Sequence, residues 1–400
     1  MELYTQGAPK QEINNRVAQL QKLLFEQDIC GALILQKSDF FYFSGTCQQG
    51  WLYIPAQGKP LLMIFKDYDR AKAESPIESV ISIISPKEIP DLLKNMGYQP
   101  PVNLGMELDV LPTNLYFQYK GIFKGAEIRD ISIGIRLIRA VKSPYEIELM
   151  SAAAAMSDRV AARVPEILQA GKTELEFAGE IEAFARSLGH QGITKMRLWG
   201  SEIFYGHIMS GASAAVPSYM ASPTGGYGPG VATSQGAGFT KIGKNEPVLV
   251  DYVFALNGYL SDHARIFSIG SISDEFLKAH EAMLEVQAVA IDAGKPGFST
   301  GELYDLMVQK AKSTGYEECF MGNGDRKIRF TGHGIGLELD EFPFIAKGQT
   351  LELQEGMTLA LEPKAIMSGK GVVGIENTFV VTDRGLKSLA HYPQNIIYAG

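Results

Sequence analysis

Apolar residues at Ile13, Val17, Leu20, Leu23 and Leu24 recur at helical intervals and predict a helix over residues 11–27. The run "GALILQ" (31–36) lacks that period and reads as a buried strand. "WLYIP" and "PLLMIF", joined by the polar "AQGK", predict a hairpin, and "VNLGMEL" (102–108) predicts a further strand. Strands alternating with helices predict a small α/β domain over residues 1–135.

The pattern changes at "KSPYEIELM". Ser143 suits an N-cap, Pro144 suits the first helical position, and Glu146 completes a capping box, so a long helix is expected from 144. Thr173 and Glu176 repeat the device for a helix over roughly 174–188. A glycine-rich stretch, "PTGGYGPGVATSQGAG" (223–238), lacks the Gly-Lys-Ser/Thr ending of a phosphate loop. It reads as either a mobile lid or an inert surface loop. Beyond it come strands "EPVLVDYVFAL" and "GYLSDHARIFSIG", a helix over about 273–293 and a capped helix "STGELYDLMVQKAKSTG". Strands "FTGHGIGLEL", "TLALEPKAIM" and "GVVGIENTFVVT" follow. Residues 136–400 therefore read as one large α+β domain.

Composition narrows the function classes. The chain has 400 residues, 46% hydrophobic and 20% charged, enough for two domains with cores of their own. Its net charge is −8 and no basic stripe is visible, so a nucleic-acid partner is not expected. Three widely spaced cysteines, Cys30, Cys47 and Cys319, form neither a disulfide framework nor a zinc-finger pattern. Cys30, beside "GALIL", reads as a small buried hydrophobe. The start "MELYTQGAPK" carries no basic and apolar leader, and no apolar run reaches about 18 residues. A cytoplasmic chain with no membrane partner is the expectation.

Candidate chemistry begins in "VLVDYVFALNGYLSDHARIF". Asn257-Gly258 is a strong signal for a two-residue hairpin turn. That turn sets Asp251 opposite Ala264, with Asp262 one diagonal step away on the same face, while His263 and Arg265 point to the other. Two carboxylates on one face of an apolar hairpin repel and need a cation or a shared proton. Solvated acids on a half-exposed hairpin are the alternative. His333, among glycines, and Glu362 and Glu376, each beside an apolar run, enlarge the candidate set. Four carboxylates and one imidazole can hold two divalent ions, with manganese, iron, cobalt or zinc favoured by the donor types.

The contexts "VDY…GYLSDHAR", "GHGIGLELDEFP", "LEP" and "GIENTFVVT" resemble the pita-bread metallohydrolase family, which includes methionine aminopeptidase, Xaa-Pro aminopeptidase, prolidase and creatinase. "DFFYFSGT" is similar to the N-terminal domain of the creatinase–prolidase branch. The resemblance covers essentially the whole chain. It implies a creatinase-like N-terminal α/β domain (1–135) followed by a pita-bread catalytic domain (136–400). It also implies Asp251, Asp262, His333, Glu362 and Glu376 as ligands of two metal ions, with Glu362 also holding the nucleophilic water. Peptide or peptide-like C–N hydrolysis, and a homodimer in which the segment from Tyr42 to Trp51 nears a catalytic cleft, are implied as well.

The sequence departs from that branch where helper histidines are expected. Ser218 stands in "VPSYM", Arg329 four residues before His333, and Asp340 seven residues after it. His207, in "FYGHIMSG", reads as a hydrogen-bonded loop histidine or a substrate contact. Histidine and aspartate differ by roughly 2.6 pKa units, or about 3.5 kcal/mol of proton-donating ability. Asp340 therefore reads as an ionised base or a partner for a substrate cation, paired with Arg329 at the mouth of the site. The alternatives to an Xaa-Pro peptidase are a small-molecule enzyme on the same scaffold (creatinase-like, ectoine-hydrolase-like or a dimethylsulfoniopropionate-type lyase) and a binding protein on an inactive scaffold.

Overall fold

The computed structural model describes residues 7–198, 200 and 205–399, and the chain divides into two compact units, Met1–Arg139 and Ala140–Gly400. The first unit is built on six strands. They are β1 (Gly31–Ile34), β2 (Gly50–Pro55), β3 (Leu61–Ile64), β4 (Val80–Ser82), β5 (Asn103–Met106) and β6 (Glu127–Asp130), ordered β4–β3–β2–β1–β5–β6. The β2–β3 hairpin is antiparallel, as the sequence predicts. The helix Lys10–Glu26 buries Ile13, Val17, Leu20 and Leu24 along its apolar stripe.

One expectation fails in this unit. Cys30 is exposed. It precedes β1, where only its backbone is engaged, its N–H donating to the Asn103 carbonyl at 3.1 Å. Trp51 lies within β2. It is half-buried, and its indole N–H donates to the Tyr119 hydroxyl at 2.6 Å.

In the second unit the helices Pro144–Ile167 and Glu174–Ser187 begin at complete capping boxes. Ser143 and Glu146 exchange hydrogen bonds of 3.2 and 3.0 Å, and Thr173 and Glu176 exchange bonds of 3.1 and 2.8 Å. Helices Asp274–Ala293 and Thr300–Ser313 follow; Ser299 stands at the start of the latter without a side-chain capping bond. None of the helices among the described residues is long and apolar enough to cross a membrane.

Eleven strands are described in this unit. β7 (Gly206–Ser210), β8 (Val248–Leu256) and β9 (Tyr259–Ile269) come first. Then come β10 (Phe330–Gly334), β11 (Glu341–Ala346), β12 (Thr358–Leu361), β13 (Lys364–Met367), β14 (Gly371–Gly374), β15 (Asn377–Thr382), β16 (Gly385–Ser388) and β17 (Ile397–Ala399). They form sheets β17–β9–β8–β7 and β11–β10–β12–β15–β16, and a separate hairpin β13–β14.

Two runs expected as continuous strands are broken. "TLALEPKAIM" divides at Glu362–Pro363, and "GVVGIENTFVVT" divides at Ile375–Glu376. Pro363 has no N–H to give a ladder. At Gly374 any Cβ would stand 2.4 Å from the Pro363 carbonyl oxygen, so the close approach of the two breaks requires glycine. These breaks move the chain from the five-stranded sheet to the β13–β14 hairpin, and a carboxylate sits in each of them.

The glycine-rich stretch is not a wholly exposed surface loop. Its limbs, 223–226 and 235–236, are buried, and its tip, 229–234, is exposed. The Gly236 N–H donates to the Gly225 carbonyl at 2.7 Å. The Gly238 N–H donates to the buried Glu174 carboxylate at 3.1 Å.

Candidate active site

The β8–β9 hairpin supplies the first two carboxylates. Asn257 and Gly258 both adopt left-handed backbone (φ 51° and 87°), the requirement of a tight hairpin turn. Leu256 consequently faces Tyr259, and Asp251 faces Ala264. Asp262 lies two residues from Ala264 and shares its face. On the other side of β8, His207 of β7 is paired with Asp251.

Glu376 is brought in by backbone. It exchanges hydrogen bonds of 3.2 and 3.3 Å with Ala264, and the Thr378 hydroxyl accepts the Asp262 N–H at 2.9 Å. Arg265, on the opposite face of β9, clamps this junction. Its buried guanidinium donates to the carbonyls of Ala264, Glu376, Tyr392 and Pro393 and to Asn377 Oδ1, all within 3.0 Å. All five donors of the fork are thereby used.

His333 comes from β10. Its Nδ1 donates to the Gly334 carbonyl at 3.0 Å, which leaves Nε2, 3.7 Å from Asp262 Oδ2 and 4.0 Å from Glu376 Oε1, as the nitrogen that would bind an ion or carry the second proton. Candidate ligand atoms of Asp262, His333 and Glu376 lie within 4.8 Å of one another. Asp251, Asp262, His333, Glu362 and Glu376 all line one cavity of about 110 Å³, together with His207, Asp340 and Lys364.

Lys364 escaped the sequence reading. Its Nζ lies 2.9 Å from carboxylate oxygens of Asp251, Glu362 and Glu376. The signal was a lysine inside the apolar run "TLALEPKAIM", two residues after Glu362 and so on the same face of extended chain. Burial opposes the Lys364 charge, but the three carboxylates outweigh it and hold the ammonium protonated well above the ordinary lysine range. Burial, then the neighbouring Asp251 charge, raises the Asp262 carboxyl. Burial and Asp262 raise Glu376. For His333, burial favours the neutral ring, yet Asp340, Asp262 and Glu362 reverse the direction and raise its pKa. One ammonium among four buried carboxylates leaves a deficit of positive charge that a cation or protons must fill.

The helper positions divide. Asp340 is at the cavity, its Oδ1 3.6 Å from His333 Nδ1 and its side chain 22% exposed. Its φ of 60° is tolerated by Asp and Asn better than by most residues. Its neighbours on both sides are pinned: the Leu339 N–H donates to the Lys195 carbonyl at 2.8 Å, and Lys142 reaches the Glu341 carboxylate at 3.0 Å.

Arg329 does not join Asp340. It is exposed and lines a different cavity with Tyr304 and Lys347, and no ion pair links it to Asp340 among the described residues. The cause is a register shift in β10 between Phe330 and Gly332, which breaks the alternation and puts Phe330, not Arg329, at the cavity beside His333. Ser218 also lies outside this cavity. Its hydroxyl donates to Gln235 Oε1 at 3.0 Å, and the Gln235 amide donates to His207 Nε2 at 2.9 Å. His207 is a strand residue at the cavity, not a loop histidine. Its Nδ1 meets the Thr224 hydroxyl at 2.8 Å, and burial lowers its pKa to about 4, so it is neutral.

The donor set fits one divalent ion well: two carboxylates and an imidazole whose other nitrogen is already bonded. It fits two ions poorly, because the Lys364 ammonium spans Asp251, Glu362 and Glu376.

Comparison with known proteins follows this geometry. The family model for metallopeptidase family M24 matches residues 148–383, and that for the creatinase/prolidase N-terminal domain matches residues 16–141. The chain is 28% identical to the Xaa-Pro dipeptidase of Pyrococcus furiosus over 96% of this chain and all of that protein. It is 31% identical to the Xaa-Pro dipeptidase of Lactobacillus helveticus over 73% of this chain and 71% of that one. Among solved structures, the prolidase from Pyrococcus horikoshii OT3 superimposes with a TM-score of 0.79 at 25% identity, over 95% of this chain and 99% of that one.

Proposed function

The chain belongs to metallopeptidase family M24, with a creatinase-like N-terminal domain before its catalytic domain, and from that premise we propose that it hydrolyses short peptides of the Xaa-Pro type. It is a metal-dependent hydrolase by family. The observation that carries the proposal is the convergence of Asp251, Asp262, His333, Glu362 and Glu376 on one cavity. Relatives named as Xaa-Pro dipeptidases, one of them matched over its full length, support a peptide substrate ahead of a small-molecule one.

In this reading Asp262, His333 and Glu376 hold a divalent ion, with manganese, iron, cobalt or zinc suited to the donors. Such an ion supplies a water of lowered pKa and polarises the scissile carbonyl. Glu362, at the end of β12, has its Oε2 2.9 Å from the Lys364 ammonium, and its other oxygen would accept the proton of an attacking water. Asp340, at the cavity edge, would hold a substrate's ammonium or accept a proton. His207, neutral and fixed by Gln235 and Thr224, would bound the substrate on the β7 side. Arg329 and Ser218 have no part in this mechanism. A homodimer, implied by the resemblance, belongs to the same proposal, as does the cytoplasmic location expected from the sequence, and sedimentation at micromolar concentration tests the dimer.

The decisive assay is release of free proline from a panel of Xaa-Pro dipeptides, before and after chelation and with each metal restored. Metal-dependent release is expected. Metal-replete enzyme inert on the panel but active on small amidines or betaines would overturn the peptide reading.

A further inference from the structure

The geometry points to Lys364 as a built-in cation that takes the place of one ion of a two-ion centre, so that this cavity binds a single divalent metal. The inference rests on the metal-hydrolase reading and deepens it. Lys364 Nζ has three protons and three carboxylate neighbours, each at 2.9 Å, so its donors are fully used. An ion bound to the same oxygens at about 2.0–2.2 Å would need the volume that the ammonium fills. The two are mutually exclusive.

The protein is shaped to hold the lysine there. Lys364 is 1% exposed, and it lies in the first residue pair of the β13–β14 hairpin, opposite Gly374. A Cβ at Gly374 would stand 3.0 Å from Lys364 Cγ and 2.7 Å from its Cα. The glycine that closes the two strand breaks therefore also clears the path of the lysine stem.

What remains is one complete half-site. Glu376 faces Lys364 with Oε2 and the His333 side with Oε1, so its carboxylate joins the ammonium to the candidate ion position. Asp262 and His333 Nε2 complete that position. Asp251 Oδ2 and Glu362 Oε2 serve the lysine. An ammonium whose three protons are committed to carboxylates has no lone pair for nucleophilic attack and cannot supply a water, so only the Asp262–His333–Glu376 position can do so.

The test is metal uptake by the full-length protein. Stripped protein is titrated with manganese and cobalt by calorimetry, and metal content is measured after dialysis. Wild type should take up one equivalent. Lys364→Gly, checked for folding by its melting transition, should take up two, and adding Asp251→Asn should remove the second. Asp251→Asn alone should leave the single equivalent in place, a prediction independent of whether the glycine variant folds. Two equivalents in wild type would overturn the inference and leave the metal-hydrolase reading standing. A single equivalent in folded Lys364→Gly, or loss of the ion in Asp251→Asn, would also overturn it. No uptake by wild type would overturn both.

Discussion

The cavity has two walls built on different rules. The β7–β8–β9 wall is regular, and strand alternation alone sends His207, Asp251 and Asp262 into the cavity. The wall from β10 to β15 is irregular. His333 follows a register shift, Asp340 sits in left-handed backbone, and Glu362 and Glu376 lie at strand breaks. A regular wall carries ligands cheaply but fixes them at strand spacing. Breaks allow two strands to deliver their acids, and Lys364 between them, to one point.

Arg265 tests whether the walls depend on each other, since it ties β9 to the Glu376 break. Arg265→Ala strands several buried acceptors, each worth about 1–3 kcal/mol, so a loss of at least about 3 kcal/mol in unfolding free energy is expected. Urea denaturation measures it. A loss under 1 kcal/mol would mean that the two walls hold together without the clamp.

On the regular wall, His207 offers a pH handle. Its folded pKa of about 4 lies below the usual histidine value, so the unfolded chain takes up a proton first as pH falls. The neutral ring's contribution is complete above about pH 6.5 and is lost toward pH 4, by up to about 3 kcal/mol. His207→Gln should therefore lose less stability than wild type between pH 7 and 4.5. Equal losses would show a ring that charges freely.

On the irregular wall, Asp340 and Arg329 separate a cavity residue from a bystander. Asp340→Asn keeps a residue suited to φ of 60° and should lower turnover by about 10²-fold, within the range of lost acid–base assistance, with metal content unchanged. Loss of metal would instead make Asp340 a ligand. Arg329→Leu, in a separate cavity, should change kcat/KM less than about twofold, as surface substitutions generally do in stability. A larger drop would return Arg329 to the mechanism.

The sequence made the regular wall legible. Asn257-Gly258 and period-two alternation fix the register that puts Asp251 opposite Ala264. On the irregular wall, His333 among glycines and Glu362 and Glu376 beside apolar runs were legible as candidates, and the family resemblance implied their role, but the strand breaks that bring them together were not legible. Periodicity ran "TLALEPKAIM" through as one strand and so gave Lys364 no role, although Pro363 marked the break. The helper-histidine positions of the resembled family put Arg329 beside Asp340, whereas a one-residue shift in β10 puts Phe330 toward the cavity. Cys30 was misread for a simpler reason: proximity to an apolar strand does not place a side chain inside it.

Anomalous diffraction from crystals grown with manganese addresses the central claim directly. The account predicts one peak, coordinated by Asp262, His333 and Glu376, with the Lys364 ammonium still bridging Asp251, Glu362 and Glu376. Two peaks with Lys364 turned out of the carboxylates, or no peak at the three ligands in crystals of metal-replete protein, would contradict it.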